Sequence, residues 1–398
     1  MWNGCATDLI GEPSDLSIIE YPTGLAIHPN GRYAYLIGSN FDLDYRANDG
    51  GAIYVLDLET KQILPSSKRI GSFGTNVVLS EDARRGYTVT RGDDALVWFE
   101  ISEDGSQISC PNEKENSESL LKCRRLIDDN PSYVAITRSY REKTEINANG
   151  ESVTTTIPFD LLAIAQLRNA QTTMMTVQTQ QDGSLSFSHE SASLLYSASV
   201  ATWFEGEKFV VAGRSASNIL VISPALDDRG RVLGIYASQA ISVPSGYNIY
   251  QGRDLVFDPG KRDMFMLNQY PRALMKFDVS GLSNVTATSD RAALTDMLML
   301  STDVTRMIWV GDGETGMIYA TSSTDNTLFI IDPRAMEIVE TIETGNSPYE
   351  MALHGDKLYL VLFRDNEIWQ FDVSKPNQPE LREKLFSTNP STDLTGDK

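Results

Sequence analysis

Residues 318–332 read IYATSSTDNTLFIID, an apolar run, a polar turn and a second apolar run that ends in Asp332. β-Branched and aromatic residues fill the two runs, and Ser, Asp and Asn fill the turn, as in two short strands joined by a hairpin. The pattern returns along the chain. It reads YAYLIGSN, a polar loop and AIYVLDL over 33–58, YTVTRGDDALVWFEI over 87–101, and FVVAGRSASNILVI over 209–222. It returns as MFMLNQYPRALMKFDV over 264–279 and LYLVLFRDNEIWQFDV over 358–373. Asp57, Asp278 and Asp372 sit at the ends of second strands, as Asp332 does.

Ahead of these pairs lies another short strand with a tight turn: GLAIHPNGR, NVVLSEDAR, DLVFDPGKR and MALHGDK. A fourth strand follows most of them, as QILP, RVLGIYA, EIVETIE and ELREKLF. Six units are clear, and a degenerate seventh starts near Pro131 with YVAIT, DLLAIAQL and MMTVQTQ. Its first hairpin carries the insertion REKTEINANGESVTTT. A four-stranded unit repeating at about 40 residues predicts radial repetition, which leaves only short sheet edges. Tandem sandwiches would not repeat one internal pattern at this interval. The expectation is an all-β chain, a seven-bladed β-propeller of four-stranded antiparallel blades over residues 20–388. Residues 1–19 would be a tether or leader, and 389–398 are too polar to fold.

Two stretches carry a family resemblance: GLAIHPNGRYAYLIGSN with GAIYVLDLET, and SSTDNTLFIIDPRAMEIVETIETGNSPYEMAL. They resemble the YVTN-type propeller repeat, a strand, a Pro/Asp-Gly turn, a Tyr-Val-rich strand, Asn, and a strand ending in Asp. The likeness covers residues 20–388, is specific in the first and sixth units and weak in the third and fourth. No unit contains the literal YVTN string, and the inserted loops are long. Members of that family include surface-layer proteins, extracytoplasmic binding proteins and lactonase-like enzymes. The resemblance therefore implies a scaffold and leaves its chemistry open.

Composition narrows the partners. The 398 residues carry a net charge of −20, with 34 Lys+Arg against 54 Asp+Glu. Such a surface repels phosphate backbones and anionic headgroups, so nucleic acid is not an expected partner. Three His and three Cys are too few for a zinc-ribbon protein, and no apolar run reaches the ~20 residues of a membrane helix. Cys5 follows Gly4 and precedes a polar stretch, as the lipid-anchored Cys of a mature bacterial lipoprotein does; the alternative is a free thiol near a frayed end. Cys110 and Cys123 flank a polar segment and are read as a disulfide closing a short loop, worth about 3 kcal/mol. That bond favours an oxidising compartment, the periplasm or outer-membrane surface.

In a propeller, loops before the innermost strands and between second and third strands crowd one end of the axis. Alignment of the units places Asn76, Tyr133, Thr202, Arg253, Asp254, Tyr349 and Glu350 in the first group, and Arg91, Arg214 and Arg364 in the second. Such a ring suits a polar ligand or a partner's loop, though the same residues could simply pair with one another. Asn76, Asp254 and Glu350 could instead hold an axial divalent cation, as in metal-assisted lactonases. Asp42, Asp44, Asn48 and Asp49 form a second oxygen-rich cluster, read as a solvated Asx-rich loop with Ca²⁺ as its alternative occupant. No catalytic signature appears: the three His lie off the axial end, and no Gly-x-Ser-x-Gly elbow is present. The expected function is an extracytoplasmic binding scaffold for a protein or cell-envelope polymer, touching membrane only through a lipid anchor. It would need no cofactor and be monomeric outside its complex. The alternative is a metal-dependent lactonase-like hydrolase.

Overall fold

Alternate residues of the central strands face different cores. Tyr35, Ile37, Ile53 and Val55 enter one cluster, while Ala34, Leu36, Ala52, Tyr54 and Leu56 enter another. A sheet covered on both faces needs apolar side chains on both, which explains near-continuous runs such as YAYLIG and AIYVLD. In the computed structural model these strands form seven antiparallel sheets of consecutive strands, arranged as a β-propeller. The structure describes residues 16–39, 51–111, 119–127, 130–168, 171–195, 197–214, 218–242, 250–282 and 293–386.

Blades 1 to 7 cover residues 22–71, 74–126, 131–193, 198–242, 250–299, 306–343 and 348–385. All seven expected units are therefore blades, the degenerate third included. In blades 1 and 2 the outermost strand is split into two short pieces. In blade 2 the break holds a disulfide between Cys110 and Cys123, with Cα atoms 5.7 Å apart. Both cysteines are buried beside Trp98 and Leu120, so the polar segment that separates them in sequence is pinned to the core at both ends.

The ring closes without exchanging a strand among the described residues. Blade 7 meets blade 1 through side chains: Tyr359, Val361 and Ile368 share a core with Leu25, Leu36 and Tyr54. The Asn366 side chain accepts a hydrogen bond from the Tyr21 amide at 2.9 Å, and Lys61 pairs with Glu383. Burying each large apolar side chain is worth about 1.5–3 kcal/mol, so this seam is held chiefly by apolar contact.

The insertion of blade 3 extends its first hairpin. Beyond one slip at Pro131/Tyr133, strand Pro131–Ile146 stays in register with Ser152–Gln166 to the tip, where Ile146 pairs with Ser152. The ribbon is braced at its base on both sides. Arg138 pairs with Asp82 of blade 2 at 2.9 Å, and Arg141 forks onto Glu207 of blade 4 at 2.6 and 2.9 Å.

One irregularity positions the axial side chains. The innermost strand slips register at Pro22/Gly24, Gly74/Val77, Pro131/Tyr133, Ala198/Val200, Gly252/Asp254 and Pro348/Met351. Such a bulge adds a residue and re-aims neighbouring side chains. It recurs where the inner strands begin, at the loop-rich end of the axis.

Candidate functional site

Axial side chains first join the blades to one another. The Thr23 hydroxyl donates to the Gly74 carbonyl at 2.8 Å, and the Ser199 hydroxyl to that of Gly252 at 2.6 Å. Asn76 receives the Val134 amide at 3.0 Å and donates to the Val134 carbonyl at 2.8 Å, closing a two-bond weld between blades 2 and 3. Asp254 accepts its neighbour Leu255 at 2.9 Å and, across the blade boundary, the Met307 amide at 2.8 Å.

Arg306 forms the plug of the axis. Its guanidinium lies 5.3 Å from the ring centroids of both Tyr133 and Tyr349, and its Nε stands 3.4 Å from Glu350. It also donates to the Arg253 carbonyl at 3.2 Å. Burial raises the Glu350 carboxyl to about 7, with Arg306 opposing the rise and Asp254 adding to it. Burial likewise raises Asp254, while Arg306 opposes it. Burial weakens the charge of Arg306 itself, but Tyr349, Glu350 and Asp254 more than restore it, so it stays a cation.

On the loop side of this plug lies a cavity of about 100 Å³ lined by Arg91, Arg214, Arg253, Arg306 and Tyr349. Arg253 is balanced by Asp303 at 3.0 Å and also bonds Gln269 at 2.7 Å. Arg91 donates to the Asn130 side chain at 3.2 Å and lies over the Phe73 ring at 4.9 Å. Among the described residues, neither Arg91 nor Arg214 makes an ion pair. Burial lowers both below the usual guanidinium range, and each is lowered further by a neighbour, Arg214 for Arg91 and Arg253 for Arg214.

The other end of the axis differs in kind. A funnel of about 420 Å³ is walled by Tyr133, Trp203, Phe257 and Trp309, with Thr202 on its side. The Lys261 ammonium caps it, 4.7 Å from the Trp203 ring and 4.6 Å from that of Phe257.

The structure thus sorts the expected residues. Arg91, Arg214, Arg253 and Tyr349 share the loop-side cavity. Glu350 pairs with the plug, Tyr133 stacks under it and lines the opposite funnel, and Asp254 and Asn76 tie blades together. Thr202 lies in the opposite funnel, because the fourth inner strand starts at Ala198 and its axial position is Ser199. Arg364 is exposed and does not line the cavity. Asp42, Asp44, Asn48, Asp49 and Cys5 lie outside the described residues. Arg306 was missed by sequence reasoning; the signal was its place before the apolar run MIWV, as Arg253 and Asp254 precede LVF.

Asn76, Asp254 and Glu350 do not stand ready for a cation. The Asn76 amide is engaged at both ends, Asp254 accepts backbone amides on both oxygens, and the Glu350 oxygens face the Met351 amide and Arg306. No group of three or more His, Cys, Asp or Glu suited to a metal occurs among the described residues.

No protein-family model matches this chain, and no curated protein matches it in sequence. Solved structures share its fold. The β-propeller domain of Cps50 (Swd1) from Myceliophthora thermophila superposes with a TM-score of 0.59 at 12% identity, covering 89% of this chain and 98% of that one. A candidate 6-phosphogluconolactonase from Bacteroides fragilis gives 0.59 at 13% identity, covering 84% and 90%. Sqt1 from Saccharomyces cerevisiae gives 0.57 at 10% identity, covering 92% and 86%. At these identities the likeness is one of fold alone.

Proposed function

We propose that this chain is a binding scaffold that engages a protein or cell-envelope polymer through the loop-side end of its propeller. One observation carries the reading: the axial polar groups join the blades and hold the Arg306 plug, while an arginine-lined cavity lies beside that plug. A general base or nucleophile needs a positioned partner facing a substrate, and the axial carboxylates face Arg306 and backbone amides instead. The rigid ring would hold the loops in place for recognition. The same reading takes the repeat as YVTN-type, residues 20–388 as the propeller and the protein as extracytoplasmic. The buried Cys110–Cys123 disulfide supports the last point, since such bonds persist in oxidising compartments.

Cross-linking of the full chain in its native envelope, read by mass spectrometry, tests the reading. The expected result is a reproducible partner cross-linked to loop-side residues. Cross-links confined to the blade 3 ribbon or the opposite funnel would overturn it.

A hydrolase remains the second reading because a candidate 6-phosphogluconolactonase shares the fold. It would require Arg306 to leave the place between Tyr133, Tyr349 and Glu350 before a cation could use the carboxylates. Lactone hydrolysis dependent on added divalent metal, and abolished by Glu350→Ala, would establish it.

A further inference from the structure

We propose that the loop-side cavity is a binding site for a compact oxyanion, a phosphate or carboxylate group, held by Arg91, Arg214 and Arg253 above the Arg306 plug. The inference deepens the scaffold reading by naming the charge of the group received, and it rests on that reading for the partner that presents the group.

The argument starts from charge. The chain carries a net −20, yet four guanidiniums converge on one cavity of about 100 Å³. Asp303 offsets Arg253 and Glu350 offsets Arg306, at 3.0 and 3.4 Å. Arg91 and Arg214 have no such partner among the described residues. Like charges in a half-buried site repel, and water screens them poorly. An acidic chain that keeps them together is arranged for an opposite charge from outside.

Hydrogen bonding points the same way. Among the described residues, the buried Nε atoms of Arg214 and Arg253 have no acceptor. Leaving a buried charged donor unsatisfied is costly, and such donors are ordinarily met by a partner, an ion or ordered water. The guanidinium fork matches the oxygens of carboxylate and phosphate, and each bond is strengthened by charge. The cavity admits a group of a few non-hydrogen atoms, so the rest of a ligand would project toward the loops. Its neighbours also hold the donors in place. Arg91 is stacked on Phe73 and tied to Asn130, and Arg253 is tied to Gln269.

The test is isothermal titration of the full chain with inorganic phosphate and, separately, with acetate, at pH 7.5 and constant ionic strength. The expected result is saturable one-site binding of at least one anion. The double variant R91Q/R214Q should weaken it at least tenfold, and R84Q, an exposed arginine outside the cavity, should leave it unchanged. Tighter phosphate than acetate would identify a phosphate ester as the source of the oxyanion; the reverse would identify a carboxylate. No saturable binding of either anion, or equal binding by wild type and R91Q/R214Q, overturns the proposal. Should the double variant fail to fold, R91Q and R214Q singly carry the same expectation. Partner capture at the loops with flat titrations sinks the oxyanion site alone, while anion binding with cross-links elsewhere sinks the scaffold alone.

Discussion

Arg306 and Glu350 face each other at 3.4 Å across the boundary between blades 6 and 7, with the arginine held between two tyrosine rings. A buried pair of this kind contributes little net stability, because desolvating both charges offsets their attraction. Its consequence is a titratable carboxyl beneath an arginine-lined cavity.

Glu350 should make anion binding depend on pH near neutrality. Its carboxyl is raised to about 7, and the charged groups facing it are Arg306, which lowers it, and Asp254, which raises it. Below pH 7 Glu350 becomes neutral and Arg306 loses its counter-charge, so sulfate, whose own charge is constant over this range, should bind more tightly at pH 6 than at pH 8. Glu350→Gln should bind sulfate at pH 8 as wild type does at pH 6. The sign for stability follows from linkage. A carboxyl raised on folding favours the folded state below its unfolded value near 4.3, and that contribution is lost as pH rises through about 7. Urea titrations of wild type and Glu350→Gln at pH 5 and pH 8 should show a larger fall in wild type, because Asp254, also raised by burial, titrates in both.

Asn76→Ala should cost about 2–4 kcal/mol, because it orphans both the amide and the carbonyl of Val134 at a buried seam. Denaturant unfolding measures this. The loss should be equal in Ca²⁺ and in a chelator. A loss that disappears in the chelator would make Asn76 a metal ligand and not a weld.

Gly24→Ala tests how closely blades 1 and 2 approach. A Cβ there would lie 2.5 Å from the Thr75 carbonyl oxygen and 2.8 Å from the Asn76 Cα, both backbone atoms that cannot swing aside. The expected cost is about 1–3 kcal/mol, the range for overpacking a filled core. A melting temperature equal to wild type would show that the seam can open.

Breaking the Cys110–Cys123 bond should lower stability by about 3 kcal/mol, the loop-entropy value for a short closed segment. Peptide mapping without reductant should recover the linked peptides. Cys110→Ser with Cys123→Ser should unfold at lower denaturant and with a steeper slope, because the unlinked denatured chain exposes more surface.

Much of the architecture was legible because it is written locally. Each blade repeats a strand–turn–strand pattern within about 40 residues, so IYATSSTDNTLFIID alone reports two buried strands and their hairpin. Even the third unit, with its insertion, kept enough of the pattern to be counted, and its extra residues lengthened one hairpin without displacing a strand. The pairing of Cys110 with Cys123 was equally local, as they lie thirteen positions apart.

The axial site was legible only in part. Arg91, Arg214, Arg253 and Tyr349 share the loop-side cavity, whereas Thr202 lies in the opposite funnel and Arg306 drew no notice in the sequence. A shift of three residues along an inner strand carries a side chain toward the opposite mouth, and bulges decide which residue turns inward. The sequence by itself determined the number of blades, the strands buried on both faces and the disulfide, because short-range patterns specify them. Only the tertiary structure decided that Arg306 lies between Tyr133 and Tyr349 and that four arginines share one cavity. Those neighbours come from different blades far apart in the chain, and only closing the ring brings them within reach of one another.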